Sequence, residues 1–343
     1  MASSTDPTTP TRRRFLFKSG LAAVAVAALA ACGGVQGGGT STGGNSSFPT
    51  KPVEFVIPFA PAGSTDLIGR AATKEIRQPL GQTMVVVNRP GAGGAVGTKE
   101  AVQSPPDGHK VALAPTSLFT ISPLITAAPT GLDINTMDIA TGLTRENLVI
   151  VVHKDSPYKT IDDLLKAKGN STPLTFAHSG VGTATHFSAL VFLKEAGVNA
   201  KDVPFDGSGP AVNALLGRQV DLASTQIAES IKQVQSGELR QLAIFSEQRS
   251  PQLPEIPTVK EKGVDFTVDQ VRFVAAPKGT SPQALTKLRD AFLQSTKDPA
   301  YDKFLKDNFI ERAELTGDQV RQKVTTDAAR YRELATKNGV SPR

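Results

Sequence analysis

The sequence predicts an α/β protein, and three observations carry that prediction. From Lys51 onward, short apolar runs alternate with stretches of helical periodicity, the pattern of strands joined through helices. Several of the runs are continuously apolar, as strands are when helices cover both faces of their sheet. The length of 343 residues suffices for two domains, each with its own core. With 39% hydrophobic and 20% charged residues, the composition excludes a disordered, collagen-like or coiled-coil chain.

In chain order, residues 1–31 read as a signal peptide. Thr11-Arg12-Arg13-Arg14-Phe15-Leu16-Phe17-Lys18 sets a twin arginine before an apolar pair and a lysine, a pattern that resembles a Tat export signal. The weakly apolar stretch 19–31 is shorter than the about 20 residues a bilayer span needs. Its length is that of a signal-peptide apolar region. The single cysteine follows in Leu29-Ala30-Ala31-Cys32, which resembles a bacterial lipobox and makes Cys32 the expected lipidation site. Residues 32–50 are mostly Gly, Ser and Thr, a flexible tether with an end-to-end distance of about 23 Å. One cysteine excludes an internal disulfide and a thiolate-only metal site. Without residues 1–31, which hold Arg12, Arg13, Arg14, Lys18 and Asp6, the net charge falls from +6 to about +3. Charge therefore gives no reason to expect a nucleic-acid partner.

The body begins with a strand at Val53–Ile57, and further strands are expected at 84–87, 111–114, 148–152, 174–177, 220–223, 241–245 and 271–276. Their sheets are expected to be mainly parallel. Between them, Leu67 with Ala71 and Ile68 with Ala72 and Ile76 keep helical spacing, as do Phe187 with Val191 and Leu190 with Leu193. From Ser281 the chain reads as helices whose outer faces carry charge to solvent.

Two strand-to-helix junctions share one chemistry. The first is Val56-Ile57-Pro58-Phe59-Ala60-Pro61-Ala62-Gly63-Ser64-Thr65-Asp66. Prolines stiffen the approach, Gly63 permits backbone conformations that other residues resist, and Ser64, Thr65 or Asp66 can cap the helix. A helix start also presents unpaired amide donors and partial positive charge, which suits a carboxylate or phosphate. The second is Phe176-Ala177-His178-Ser179-Gly180-Val181-Gly182-Thr183-Ala184-Thr185-His186, again a strand, a Gly/Ser/Thr loop and a helix. It offers amides around Gly180 and Gly182 with the hydroxyls of Ser179, Thr183 and Thr185. Either turn alone is an ordinary helix cap; two facing each other would hold a small molecule with an acid group at each end.

Other features point away from chemistry. Gly91-Ala92-Gly93-Gly94-Ala95-Val96-Gly97 is spaced wrongly for a dinucleotide fingerprint, with no acidic partner about 20 residues on, so a glycine loop beside the cleft is expected instead. The four histidines, His109, His153, His178 and His186, have no metal-ligand spacing. His178 and His186 flank the second loop, either lining a cleft or serving as satisfied structural side chains. No Gly-x-Ser-x-Gly elbow gives Ser64 or Ser179 the context of a nucleophile. Arg145 and Arg272 lie beside and within expected strands; either could hold an acid bidentately or stand exposed.

Longer runs then support a resemblance. Lys51-Pro52-Val53, the stretch Pro58 through Asp66, Leu80-Gly81-Gln82, Asn88-Arg89-Pro90-Gly91-Ala92-Gly93-Gly94 and Pro106-Asp107-Gly108-His109 stand in order. Gly207-Ser208-Gly209-Pro210-Ala211, Gly217-Arg218-Gln219-Val220-Asp221-Leu222, Ser236-Gly237-Glu238-Leu239-Arg240 and the run Arg249 to Val259 follow. Together they resemble the Bug-type proteins, the extracytoplasmic substrate-binding receptors of tripartite tricarboxylate transporters, over almost all of residues 51–343.

The resemblance implies a type II periplasmic-binding-protein fold, two α/β lobes joined by two crossover strands at 148–152 and 271–276. Residues 51–148 plus 275–343 would form lobe 1 and residues 149–274 lobe 2. It implies a carboxylate held by Phe59, Ala62, Gly63, Ser64, Thr65 and Asp66 on one lobe and by His178, Ser179, Gly180, Gly182 and Thr183 on the other. Thr116, Ser117, Arg145, Thr225 and Gln226 would line the same cleft. Where the family often has Tyr-Lys-Gly, this chain has Phe205-Asp206-Gly207; Asp206 would select a ligand amine or cap the next helix, and the cap is favoured. The expected protein is a lipid-anchored monomer, not an enzyme and without cofactor. It would capture a small organic acid, a di- or tricarboxylate, outside the cytoplasmic membrane for the permease subunits of a transporter. A sensory module feeding a membrane signalling partner, or an enzyme on the same bilobal fold, are the rival readings.

Overall fold

The computed structural model describes residues 48–127 and 130–342. The expectations placed on residues 1–47, the export signal, Cys32 and most of the tether, lie outside the described residues. β1 (Val53–Ile57) is apolar and buried at four of its five positions. It leads through the first glycine turn into α1 (Ser64–Thr73) and α2 (Arg77–Leu80), then β2 (Met84–Asn88), α3 (Ala95–Val102), β3 (Lys110–Pro115), α4 (Ser117–Thr120) and α5 (Ser122–Ile125). β1 pairs in parallel with β2 and β3. β4 (Met137–His153) follows, then α6 (Ile161–Leu165), β5 (Leu174–His178), α7 (Ala184–Glu195), β6 (Ala200–Pro204), α8 (Ser208–Leu216), β7 (Leu222–Gln226), α9 (Ile227–Gln235) and β8 (Leu239–Ile244). The chain returns through β9 (Asp269–Pro277) to α10 (Pro282–Ser295), α11 (Pro299–Asp307), β10 (Ile310–Arg312) and α12 (Gly317–Lys337).

The strands lie in the order β2-β1-β3-β9-β4-β7-β5-β6, with β8 and β10 also pairing with β4. Two lobes arise because β4 changes partners along its 17 residues. Residues 137–147 pair with β9, and residues 148–153 with β7 and β8. The return crossing is made where Val268 donates its N–H to Phe245 and Asp269 comes opposite Asn147.

This geometry differs from the sequence expectation in four places, one of them β10, a short strand paired with β4 inside the stretch from Ser281 that was expected to be all helix. The sheet is mixed rather than mainly parallel, and every antiparallel pairing among the described strands involves β4 or β9. The polar half of β4 and the charged edge strand β6 carry no continuous apolar run; backbone pairing with β9, β10 and β5 makes them strands. Finally, β9 pairs along its length with β3 and β4, so residues 269–274 sit in the first half-sheet.

Apolar clusters fill each lobe. Phe55, Ile57, Leu113 and Phe292 pack under the first sheet, and Phe176, Phe187, Phe192 and Phe245 under the second. α12 belongs to both lobes. Val320 and Val324 pack with Phe273 and Ala114 of the first sheet, whereas Tyr331 and Ala335 pack with the second-lobe cluster. A 21-residue helix is about 31 Å long, enough to reach both.

Candidate functional site

The cleft between the lobes closes on a cavity of about 20 Å3, room for about one water molecule. Phe59, Gly63, Ser64, Thr65 and Ser117 line it from the first lobe, and Ser179, Thr183 and Gln226 from the second. Among the described residues, four helices of nine residues or more begin at this cavity. These are α1 behind Gly63, α7 behind Thr183, α8 behind Gly207 and α9 behind Gln226. Each helix start carries amides without intrahelical partners and roughly half a positive charge, so the cavity wall favours an anion from both sides.

The first turn is built differently from its expectation. Gly63 itself is the N-cap, and no side chain caps α1. Asp66 turns away from the cavity, accepting from the Ala62 N–H at 3.0 Å, from Arg70 at 2.9 Å and from Asn88 at 3.0 Å. Burial alone would push the Asp66 carboxyl up; the bonds from Arg70, Ala62 and Asn88 outweigh it and hold the carboxyl below its ordinary value. Ala62 takes a positive φ of 64° to make this turn.

The second turn uses its own amides. Ser179 N–H donates to Thr185 Oγ1 at 3.0 Å, Gly180 N–H to His178 Nδ1 at 3.2 Å, Gly182 N–H to His186 Nδ1 at 3.3 Å and Thr183 N–H to the Gly180 carbonyl at 3.3 Å. The amides around Gly180 and Gly182 thus rigidify the loop. What this turn brings to the cavity wall is the start of α7, where Thr183 caps by accepting from His186 N–H.

His178 lies beneath this loop, fully buried, and not in the cavity wall. With His186 and Asp202 it offers three ligand atoms within 4.8 Å of one another. The two imidazoles are stacked, 4.2 Å apart and inclined by 16°. Their in-plane lone pairs therefore run side by side instead of converging on one ion. The arrangement fits a packed prop beneath the loop better than a metal centre, with His178 Nε2 3.5 Å and His186 Nε2 3.8 Å from the Asp202 carboxylate.

Several further candidates stand elsewhere. Thr116 Oγ1 accepts from Gln270 Nε2 at 3.1 Å and Thr225 Oγ1 donates to Ser230 at 3.3 Å, both within the core behind the cavity. Arg145 pairs with Asp269 at 3.0 Å on the opposite face of the sheet, because adjacent residues of a strand point to opposite faces. Asp206 is exposed and lines an outer groove with Lys99 and Val181, and α8 is capped by Gly207 with no side-chain bond, so Asp206 does not make the expected cap.

What sequence reasoning missed is the pair of glutamates, Glu229 and Glu146. Glu229 of α9 lines the cavity together with Arg272 of β9, which the sequence offered as holding an acid or standing exposed and which is buried. Arg272 Nε donates to Glu146 Oε1 at 2.7 Å, its Nη2 to Ser64 Oγ at 3.2 Å, and its guanidinium stands 5.5 Å from the Phe59 ring centre. Arg272 and Glu146 are 2% and 1% exposed. Glu229 accepts the Ser64 N–H from across the cleft at 3.2 Å. Burial pushes the Glu229 carboxyl up; Ser208 opposes that, the Glu146 charge adds to it, and Arg272 and the Ser64 amide oppose it. An arginine in the apolar run Val271-Arg272-Phe273-Val274 was the one local signal, since a buried guanidinium requires a counter-charge.

With this geometry in view, the relatives decide the family. A sequence profile described as Tripartite tricarboxylate transporter family receptor matches residues 68–340. The chain belongs to that family. A UPF0065 protein from the tcbD-tcbE intergenic region of Pseudomonas sp. strain P51 is 30% identical over 291 residues, which cover 84% of this chain and 86% of that one. Among solved structures, the periplasmic binding protein BugD is 31% identical with a TM-score of 0.81, covering 86% of this chain and all of its own. A Rhodopseudomonas palustris protein solved with adipate is 25% identical with a TM-score of 0.81, over 86% of this chain and 100% of that chain. MatC from the same organism, with bound malate, is 26% identical with a TM-score of 0.78, over 84% and 99%. The family comprises periplasmic solute-binding receptors, not enzymes. Among the described residues no helix is long and apolar enough to cross a membrane.

Proposed function

We propose that this receptor captures a small carboxylate between its lobes and delivers it to the permease subunits of a tripartite tricarboxylate-type transporter. In this reading it is held at the outer face of the cytoplasmic membrane through a lipidated Cys32. The observation that carries the reading is the convergence of α1 from one lobe and α7, α8 and α9 from the other on a single cavity. Helix starts favour anions, and only a closed cleft brings all four to one molecule. Two related receptors were solved with adipate and with malate, which supports a dicarboxylate as ligand class. A cavity of about 20 Å3 is smaller than either acid, so capture proceeds through an opened cleft that closes over its ligand. The test is thermal unfolding of the mature protein with organic acids, amino acids and aromatic acids. A dicarboxylate at 100 times its Kd stabilises the fold by about 2.7 kcal/mol; no shift with any acid defeats the proposal.

A further inference from the structure

Glu229 has no part in the reading above, yet it lines the cavity. Its carboxylate accepts the Ser64 N–H from the first lobe at 3.2 Å and the Gln226 N–H at 3.2 Å. With its amide turned to donate, Gln226 also places Nε2 2.6 Å from Glu229 Oε2 and 3.3 Å from Ser208 Oγ. A protein carboxylate thus already holds the α1 amide that a ligand carboxylate would take. The charged groups facing it are Arg272 from β9 and Glu146 from β4. Arg272 is bound to Glu146 at 2.7 Å, so its guanidinium is already committed to one buried carboxylate while the half-buried Glu229 lines the same cavity. An anion entering this enclosed space brings a third. Carboxylates crowded into a common site do not all ionise; one of them takes a proton.

We propose that Glu229 makes carboxylate capture proton-coupled: the receptor closes over one ligand carboxylate together with one proton, shared as a hydrogen bond between the Glu229 carboxyl and the ligand. This rests on the carboxylate-binding reading and deepens it. The proton comes from solvent and no covalent bond changes. In the opened cleft Glu229 meets water and ionises in the ordinary carboxylate range; in the closed, loaded cleft its proton is retained to higher pH. The sign follows: affinity for the anion is highest at low pH and falls, by about tenfold per pH unit, between the ordinary carboxyl value and the raised one. A site without this carboxyl loses that dependence. The alternative occupant of a site with a free-standing carboxylate, a ligand ammonium, is disfavoured because four helix starts repel a cation.

The experiment is isothermal titration of the mature protein with malate and with adipate, in steps from about pH 5 to about pH 8, in buffers of different ionisation enthalpy. Net proton uptake on binding is expected for the wild type and about zero for Glu229→Gln, with Glu229→Asp retaining uptake. Over the range in which uptake is seen the wild-type Kd rises with pH, whereas that of Glu229→Gln stays level. Wild-type binding with no uptake overturns the coupling while leaving carboxylate capture intact. Loss of all binding in Glu229→Gln, with a preference for amine-bearing acids in the wild type, also overturns it, by assigning Glu229 to a ligand cation. Absence of binding by any carboxylate defeats both readings.

Discussion

The pair Arg272 and Glu146 shows what a single residue can and cannot announce. The two stand 126 positions apart in sequence and meet at 2.7 Å in the interior. The apolar run around Arg272 marks a buried guanidinium but nothing local names Glu146 as its partner, whereas Gly63, Ser64, Thr65, Ser179 and Thr183 were legible as cavity residues because glycine and hydroxyl turns between a strand and a helix leave a short-range signature. Removing one member of a buried ion pair strands the other. Arg272→Met is therefore expected to destabilise the fold by about 3–5 kcal/mol, since Glu146 keeps its burial and loses its counter-charge, and Glu146 Oε2 already lacks a hydrogen-bond partner. The double variant Arg272→Met, Glu146→Leu should recover most of that loss, because the uncompensated charge is gone with its partner. Urea denaturation of the three proteins measures this. A double variant no more stable than Arg272→Met would refute the account of a charge held only by its partner.

At the level of elements, the cavity is a meeting of helix starts, and each start is fixed by its cap. Thr183 does this for α7: its Oγ1 accepts from His186 N–H at 3.3 Å and donates to the Gly180 carbonyl at 2.7 Å. One side chain thus fastens the glycine loop to the helix behind it. Thr183→Ala is expected to cost about 1 kcal/mol of stability and to raise amide hydrogen exchange first at the start of α7. Thr183→Ser, which keeps the hydroxyl, should restore most of both. Unchanged exchange at Ala184 to His186 in the alanine variant would show that the cap does not hold this turn. The caps and apolar strands were readable because their determinants lie within a few residues of each other. The first half of β4 and the edge strand β6 were not, since their pairing comes from distant backbone; nor was the cap of α1, where three hydroxyl or carboxyl candidates stand beside the glycine that serves.

At the scale of the whole molecule, closure is set by how near the two lobes can come, and Gly93 lies at that contact. A Cβ at Gly93 would sit 2.9 Å from the Val181 carbonyl oxygen of the other lobe and 3.4 Å from Thr183 Cγ2. Main chain cannot yield as a flexible side chain does, so a methyl group there wedges the cleft. The residue also has a positive φ of 63°, which costs an alanine stability in any conformation. Gly81 separates the two effects: its φ is 86°, and a Cβ there meets nothing within 4 Å. Gly93→Ala and Gly81→Ala should each lower the stability of the unliganded protein by about 1 kcal/mol. Only Gly93→Ala should also weaken carboxylate binding, on the order of tenfold or more, because it disfavours the closed state that joins α1 to α7, α8 and α9 around one ligand. Urea denaturation and calorimetric titration of both variants decide it. If Gly93→Ala binds as tightly as Gly81→Ala, the lobes need not approach this closely to hold the ligand, and the closed cleft is not the binding state.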